Sequence, residues 1–436
     1  MNILIIENVW MGNTKYGFFD KTVLTAFSIL PTLYARRIAA ITQKKHSLNV
    51  INERYTAIDF DKPYDIVHIN FTTSTTPRAY EIADKFRKKY IPVVLSGLHA
   101  SAIPEEAKQH ADSVLLGSGE LNWLKLIEDF EKNELKPFYQ PIAYNKSTNI
   151  PPTNIELPGF VISGAIEATR GCPYQCEFCR ETNIPGGSYF YTRPAEDVIS
   201  EIKSMPQKFL TFYDTSLTIK PNYAKSLFKQ MKGLNKKFSC NGNSDVLAHD
   251  KELVQLSKEA GCVSWLIGFE STSQKTIDEI GKKTNNVKEY QQAVKNIHDN
   301  GMAAIGCFVF GFDTDIKEVF DETLKNIKKL EIDVADFSVL TPFPGTPLFT
   351  KLDNEGRILS KDWSKYTMKN VVFEPRNMTP EELRKGVNKM YMEFYSTPYT
   401  VRREIKSLRL GIYPFLLVLE RNISANMNSR RLLSPT

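Results

Sequence analysis

Two absences frame this 436-residue chain: no apolar run approaches the length of a bilayer span, and cysteine is scarce. A membrane-spanning helix needs about 20 consecutive apolar residues, so that class is excluded. The six cysteines all lie between residues 172 and 307, and the start, "MNILIIENVW", lacks a basic segment leading into a long apolar one. The expectation is a reducing, cytoplasmic compartment with free thiols and no disulfides. An excess of one charge is also missing from most of the chain. Lys and Arg number 56 against 50 Asp and Glu, and residues 401–436 alone hold seven Lys or Arg against two Glu. A nucleic-acid enzyme spreads basic residues over its main domains. That class is excluded, and the basicity belongs to the tail.

What is present is a soluble composition with room for large cores, 42% hydrophobic and 24% charged, in a chain long enough for two domains and an appendage. Over residues 1–150 the runs "ILIIE", "LNVINE", "IVHINF", "VVLSG" and "SVLLG" read as buried parallel strands. Between them "PRAYEIADKFRKKY" reads as a helix with Ala79, Ala83, Phe86 and Tyr90 on one face. This alternation predicts a doubly wound parallel α/β sheet, whose ligands sit beyond the carboxyl ends of its strands. Small polar loops fall there: "TTSTT" with Thr73, "SGLH" with Ser96, Gly97 and His99, and "GSGE" with Gly117 and Glu120. Each alone is ordinary loop chemistry, but three at three strand ends suggest a ligand crevice.

Residues 134–163 have the proline and asparagine of a linker. Six further runs, "AIEAT", "FLTFYD", "KFSCNGNS", "VSWLIGFES", "AAIGCFVFG" and "DFSVLTPF", alternate with helical patterns. They predict a (β/α)6 barrel with fewer than the usual eight units over residues 151–350. In "DIKEVFDETLKNIKKL", Ile316, Val319, Phe320, Thr323, Leu324, Ile327 and Leu330 keep helical spacing. Residues 351–436 read as mainly helical.

Directly after the first of these six strands comes "TRGCPYQCEFCRE", with Cys172, Cys176 and Cys179 and no fourth cysteine nearby. A structural zinc site needs four protein ligands, and the next candidates are Cys240 and His249. A 4Fe–4S cluster suits three close thiolates better, because one iron is left open to chelate a substrate or cofactor. Cys240, Cys262 and Cys307 fall singly in apolar strands and read as small buried hydrophobes.

The CxxxCxxC motif after the first strand of a partial barrel resembles the radical S-adenosylmethionine family. The resemblance implies that Cys172, Cys176 and Cys179 ligate three irons and that S-adenosylmethionine chelates the fourth. An external electron donor would drive its cleavage to a 5′-deoxyadenosyl radical. By the same resemblance Phe178 lies beside adenine, Asp214 of "FYD" takes the cofactor's amino group, and Glu270 and Ser271 of "GFES" meet the ribose. "FVFGF" and "PFPGTPLF" match late strands of the family.

The preceding domain, with "FRKKYIPVVLSGLHASAIPEEAKQHADSVLLGSGELNW", resembles the flavodoxin-like cobalamin-binding domain of the class that includes hopanoid-type C-methylases and the anaerobic magnesium-protoporphyrin cyclase. No Asp-x-His-x-x-Gly string is present to put a histidine on cobalt. The implied function is cobalamin-dependent C-methylation of an unactivated carbon on an apolar, lipid-like or natural-product substrate. The alternatives are radical ring formation, carbon–carbon coupling or oxidation, with or without bound cobalamin. From another class comes a non-catalytic iron–sulfur electron carrier, which would normally close its cluster with a fourth cysteine.

The tail places "FLLVL" (415–419) among arginines, with Pro414 at its edge. Two expectations compete: peripheral docking on an anionic membrane, or a terminal helix closing the barrel.

Overall fold

The computed structural model describes residues 1–7, 33–42, 46–53, 56–143 and 163–431. Its first sheet holds β1 (Asn2–Glu7), β2 (Ser47–Asn52), β3 (Ile66–Asn70), β4 (Val93–Ser96), β5 (Ser113–Leu115) and β6 (Phe138–Tyr139). All pairs are parallel, in the order β2-β1-β3-β4-β5-β6. Successive side chains point to opposite faces, and both faces are apolar, so helices cover each. Ile3, Ile5 and Ile66 pack with α1 (Leu33–Ile41) through Ala35 and Ile38. Leu4, Ile6, Val67 and Ile69 pack with α2 (Thr76–Arg87) through Ala79, Ile82, Ala83 and Phe86. Trp123, Leu126 and Ile127 of α3 (Glu120–Glu131) join the α1 side. Tyr90 departs from its expected place on α2. The helix has already ended, Tyr90 takes φ +61°, and its ring is 95% exposed.

The linker expected over residues 134–163 lies from 144 to 162 outside the described residues, and with it the boundary at 150. Beyond it, β7 (Ser163–Ile166) opens a second sheet. The short antiparallel pair β8 (Thr169–Arg170) and β9 (Tyr191–Thr192) follows, then β10 (Phe209–Phe212), β11 (Lys237–Asn241), β12 (Cys262–Glu270), β13 (Ala303–Phe310) and β14 (Val334–Val339). The second sheet is parallel and sequential, β14-β13-β12-β11-β10-β7. All six anticipated strands are therefore present. One of the covering helices, α4 (Val319–Leu330), buries Val319, Phe320, Thr323, Leu324 and Ile327 as its spacing predicts. Ile316 precedes the helix and is 53% exposed, so it does not belong to that face.

The carboxyl-terminal region supplies α5 (Pro380–Phe394), α6 (Thr397–Ser407) and α7 (Ile412–Arg431). Pro414 sits in the first turn of α7, where its missing N–H breaks no helical bond. Of "FLLVL", Val418 is fully buried with Ala303, Ile305, Val334 and Leu410, and Leu417 packs against them. That segment closes the underside of the second sheet, as the structural alternative predicted. Among the described residues no helix is long and apolar enough to cross a membrane.

Candidate active site

The site begins where β7 ends. Asp214, just past β10, accepts hydrogen bonds from the backbone N–H of Ala168 (3.2 Å) and of Thr169 and from Thr169 Oγ1 (2.7 Å). These bonds fix the turn into β8. Asp214 is fully buried. Burial first, and the nearby charge of Glu167 second, push its carboxyl up to about 7 against the pull of those donors. The expected contact with the amino group of S-adenosylmethionine is thus corrected. This carboxyl positions the cysteine segment from beneath.

Gly171 follows at φ +68°, and a Cβ there would collide with the Tyr189 carbonyl, so only glycine passes. Cys172 N–H donates to the Gly187 carbonyl at 3.1 Å, and Cys179 N–H to the Cys176 carbonyl at 3.1 Å. Asn183 Nδ2 clamps the carbonyls of Cys176 (3.0 Å) and Cys179 (2.7 Å). Cys176 is buried, while Cys172 and Cys179 are half-buried. Burial raises the thiols of Cys172 and of Cys176, the latter to about 11, and the charge of Cys179 acts on both. Among the described residues no three His, Cys, Asp or Glu side chains converge on one metal ion. Thiolates that each take a different iron of a cubane need not converge, so this donor set fits a 4Fe–4S cluster and not a closed mononuclear site.

Glu270 ends β12 at φ +59°, where the register to β13 slips between Gly268 and Glu270. Such a conformation is costly for a non-glycine residue and is characteristic of functional strand ends. Its Oε1 accepts from Lys282 Nζ at 2.6 Å. Burial opposes the lysine's charge, but Glu270 and then Cys176 hold it, so the Lys282 pKa is raised. A Cβ on Gly268 would fall 2.5 Å from Glu270 Oε1 and 3.1 Å from Lys282 Nζ, so a larger residue there would push this ion pair aside. Ser271 is buried, and its hydroxyl accepts from Ser273 N–H at 3.1 Å. Phe178 packs edge-on against Phe312, ring centres 5.9 Å apart. "PFPGTPLF" closes on the same loop: Leu348 N–H donates to the Glu177 carbonyl at 3.1 Å, and the Arg180 guanidinium covers the Phe343 ring at 4.8 Å.

A cleft of about 300 Å³ lies between this loop and the carboxyl ends of β3, β4 and β5. Asn70, Thr72, Gly97, Gly117 and Glu120 line one wall, and Gly171, Gly187, Tyr189 and Tyr213 line the other. Of the crevice residues expected from sequence, Gly97, Gly117 and Glu120 are therefore at the cleft. The other three are corrected. Thr73 is buried behind it. Ser96 is fully buried and bonded to His68 Nε2 (2.8 Å) and Asn70 Nδ2 (3.0 Å). His99 does not frame the cleft: it is fully buried, with Nε2 on Glu106 (3.1 Å) and its ring against Trp363.

The walls are joined by four charges, of which sequence reasoning had named only Glu120. Arg170 Nη1 lies 2.8 Å from Glu120 Oε1, and its Nε donates to Glu167 Oε2 at 2.7 Å. Arg37 of α1 donates to the same Glu167 oxygen at 2.7 Å and lies 3.5 Å from Glu120. All four side chains are at least 83% buried. Lys282 was missed likewise. Only the position of Arg170 beside the cysteine motif offered a signal.

The sequence profile of the Radical SAM superfamily matches residues 166–330. The chain is 30% identical over 390 residues to the bacteriochlorophyllide d C-8(2)-methyltransferase of Chlorobaculum tepidum, covering 82% of this chain and 84% of that protein. It is 28% identical over 387 residues to the C-12(1)-methyltransferase of the same organism, covering 84% and 83%. Among solved structures it shares its fold with the cobalamin-dependent S-adenosylmethionine radical enzyme OxsB with aqua-cobalamin bound, at TM-score 0.71 and 13% identity over 99% of this chain and 74% of that one. With the three-cysteine loop set at the carboxyl ends of a parallel sheet, the chain belongs to the radical S-adenosylmethionine superfamily.

Proposed function

We propose that this enzyme is a cobalamin-dependent C-methyltransferase acting on an unactivated carbon of an apolar substrate. The observation that carries the reading is the cleft, which joins the strand ends of the first sheet to the cysteine loop of the second. Its wall residues Gly97 and Gly117 let the chain pass close to the Phe71 and Pro185 carbonyls at the strand ends, which keeps that wall low, and no histidine lines it among the described residues. Both features suit a corrinoid whose cobalt takes no histidine. The volume of about 300 Å³ is at the small end of cofactor sites. The methyltransferase names of the relatives support the same chemistry.

When bound, the cluster with S-adenosylmethionine supplies a 5′-deoxyadenosyl radical, and cobalamin supplies a transferable methyl group. The chain's own residues orient and enclose. Cys172, Cys176 and Cys179 hold the irons, and Asn183 fixes the carbonyls between them. Glu270, oriented by Lys282, takes the ribose hydroxyls. The Arg37–Glu120–Arg170–Glu167 ring keeps the two walls in register so that radical and methyl donor face one substrate. The reading divides the chain into a flavodoxin-like cobalamin unit (1–150), a partial (β/α)6 barrel (151–350) and a helical region (351–436). An external electron donor and peripheral membrane contact through the tail complete it.

Anaerobically reconstituted protein should bind cobalamin in about equimolar amount. Electron paramagnetic resonance of the cob(II)alamin form should show no nitrogen hyperfine splitting from histidine. Protein that holds its cluster and cleaves S-adenosylmethionine but binds no cobalamin would overturn methyl transfer and leave ring formation, coupling or oxidation.

A further inference from the structure

Amphipathic helices at a protein surface turn their apolar stripe inward. Helix α6 does the reverse. Its inward side carries Arg403, Glu404 and Ser407, engaged with a fully buried Asn422 of α7: Arg403 Nη2 donates to Asn422 Oδ1 at 3.1 Å, and Asn422 Nδ2 to Glu404 Oε1 at 2.6 Å. Ser407 is fully buried and donates to the Glu404 carbonyl at 2.8 Å. The outward side carries Val401 and Ile405, exposed by 50% and 64%; Leu408, just past its end, follows at 58% and Ile412 at the start of α7 at 61%. The spacing of 401, 405 and 408 is that of one helical face.

Cations flank this stripe. Arg402 and Arg409 are exposed beside it, on the same side. They border a cavity of about 330 Å³ whose lining includes Lys328, Lys329, Arg403 and Lys406, against the carboxylates of Glu331 and Asp333. Glu331 is already paired with Lys406 and Arg409, and Asp333 with His298 at 2.8 Å. Lys329 and Arg402 make no ion pair among the described residues, so the cavity keeps a positive excess.

We propose that the outward face of α6 and the start of α7 docks on an anionic lipid bilayer, the apolar stripe entering the interface and the basic cavity receiving headgroup phosphates. Apolar residues bordered by arginine and lysine suit the boundary between acyl chains and anionic headgroups. A second copy of the chain would bring the same cations against each other, which charge opposes. The surface lies at the amino ends of the strands, beside Asp333 just ahead of β14, and so opposite the cysteine loop. Docking therefore anchors the enzyme with its cleft turned away from the lipid. It deepens the membrane contact of the proposed function and needs none of its chemistry, so either can fail alone.

The test is flotation of full-length, cluster-loaded protein with phosphatidylcholine vesicles, with and without phosphatidylglycerol. Wild type should float with the anionic vesicles and be released by high salt. V401S/I405S/L408S should lower binding about tenfold or more. R402Q/R409Q should remove the preference for anionic lipid while keeping iron content and S-adenosylmethionine cleavage. Should the triple variant fold poorly, I405N alone should still weaken flotation. Wild type that fails to float, or floats equally with both vesicle types, overturns the proposal. So does light scattering that shows a wild-type dimer turned monomeric by the triple variant.

Discussion

Arg170 and Glu120 meet at 2.8 Å across the boundary between the two sheets, each side chain about 95% buried. Arg170 stands two residues before Cys172, and Glu120 begins α3 at the mouth of the cleft. The position of the cysteine loop relative to the first sheet is therefore fixed by a charge pair that water cannot reach.

Breaking one partner of such a pair leaves its buried neighbour with one remaining contact in the ring, Arg37 for Glu120 or Glu167 for Arg170, at a cost of about 3–5 kcal/mol at most. Arg170→Met and Glu120→Gln should each lower stability by that order in denaturant titration. The double variant should lose less than the two single losses combined, because each removes the charge that the other strands. Additive losses would mean that the pair contributes nothing as a pair.

The cluster assignment is tested by replacement. Cys172→Ala, Cys176→Ala and Cys179→Ala together should abolish bound iron, which in wild type should be about four irons and four sulfides per chain. Cys240→Ala should leave it intact. The structure adds a reason for that control: Cys240 and Cys262 sulfurs lie 3.9 Å apart, deep in the core. Two thiols so placed could hold a stray ion, and iron retained by the triple variant would implicate them.

Glu270→Gln should weaken S-adenosylmethionine binding by about 1–3 kcal/mol, roughly 5- to 150-fold, since a charged acceptor becomes neutral. Equilibrium dialysis of reconstituted protein measures it. An unchanged affinity would assign Glu270 to Lys282 alone, as a structural ion pair.

Every long strand was legible because buried parallel strands are continuous apolar runs, and the cysteine loop because its ligands are adjacent in sequence. The wall residues Gly97, Gly117 and Glu120 were legible from strand-end position alone. What was not legible depends on which of two neighbours turns inward. Thr72 lines the cleft and Thr73 is buried; Tyr213 lines it and Asp214 is buried. The Arg37–Glu167 contact spans 130 residues and Lys282–Glu270 spans 12, without a shared motif. The tail was legible only in part, for a related reason. "FLLVL" is the most apolar stretch, yet its Val418 is spent on packing, while the exposed stripe lies in the more polar α6.

Asp214 should also leave a mark on the pH dependence of stability. Its carboxyl is raised from the ordinary 3.8 to about 7, mainly by burial. A group protonated more readily in the folded state contributes stability that is whole below its unfolded value and is lost as pH rises through its folded value. The loss falls between about pH 4 and 7, on the order of 4 kcal/mol at most for a fully buried group. Glu7, pushed up to about 8, and Asp315, to about 6, act with the same sign. His68, lowered to about 3 by burial, acts oppositely below its ordinary 6.5. The difference between Asp214→Asn and wild type cancels these common contributions, and the asparagine Oδ1 still accepts from Thr169. That difference should shift in favour of the variant from pH 4 to 7 and level off above. A flat difference across this range would show that Asp214 is ionised in the folded protein, held by Thr169 and Ala168 as a buried anion.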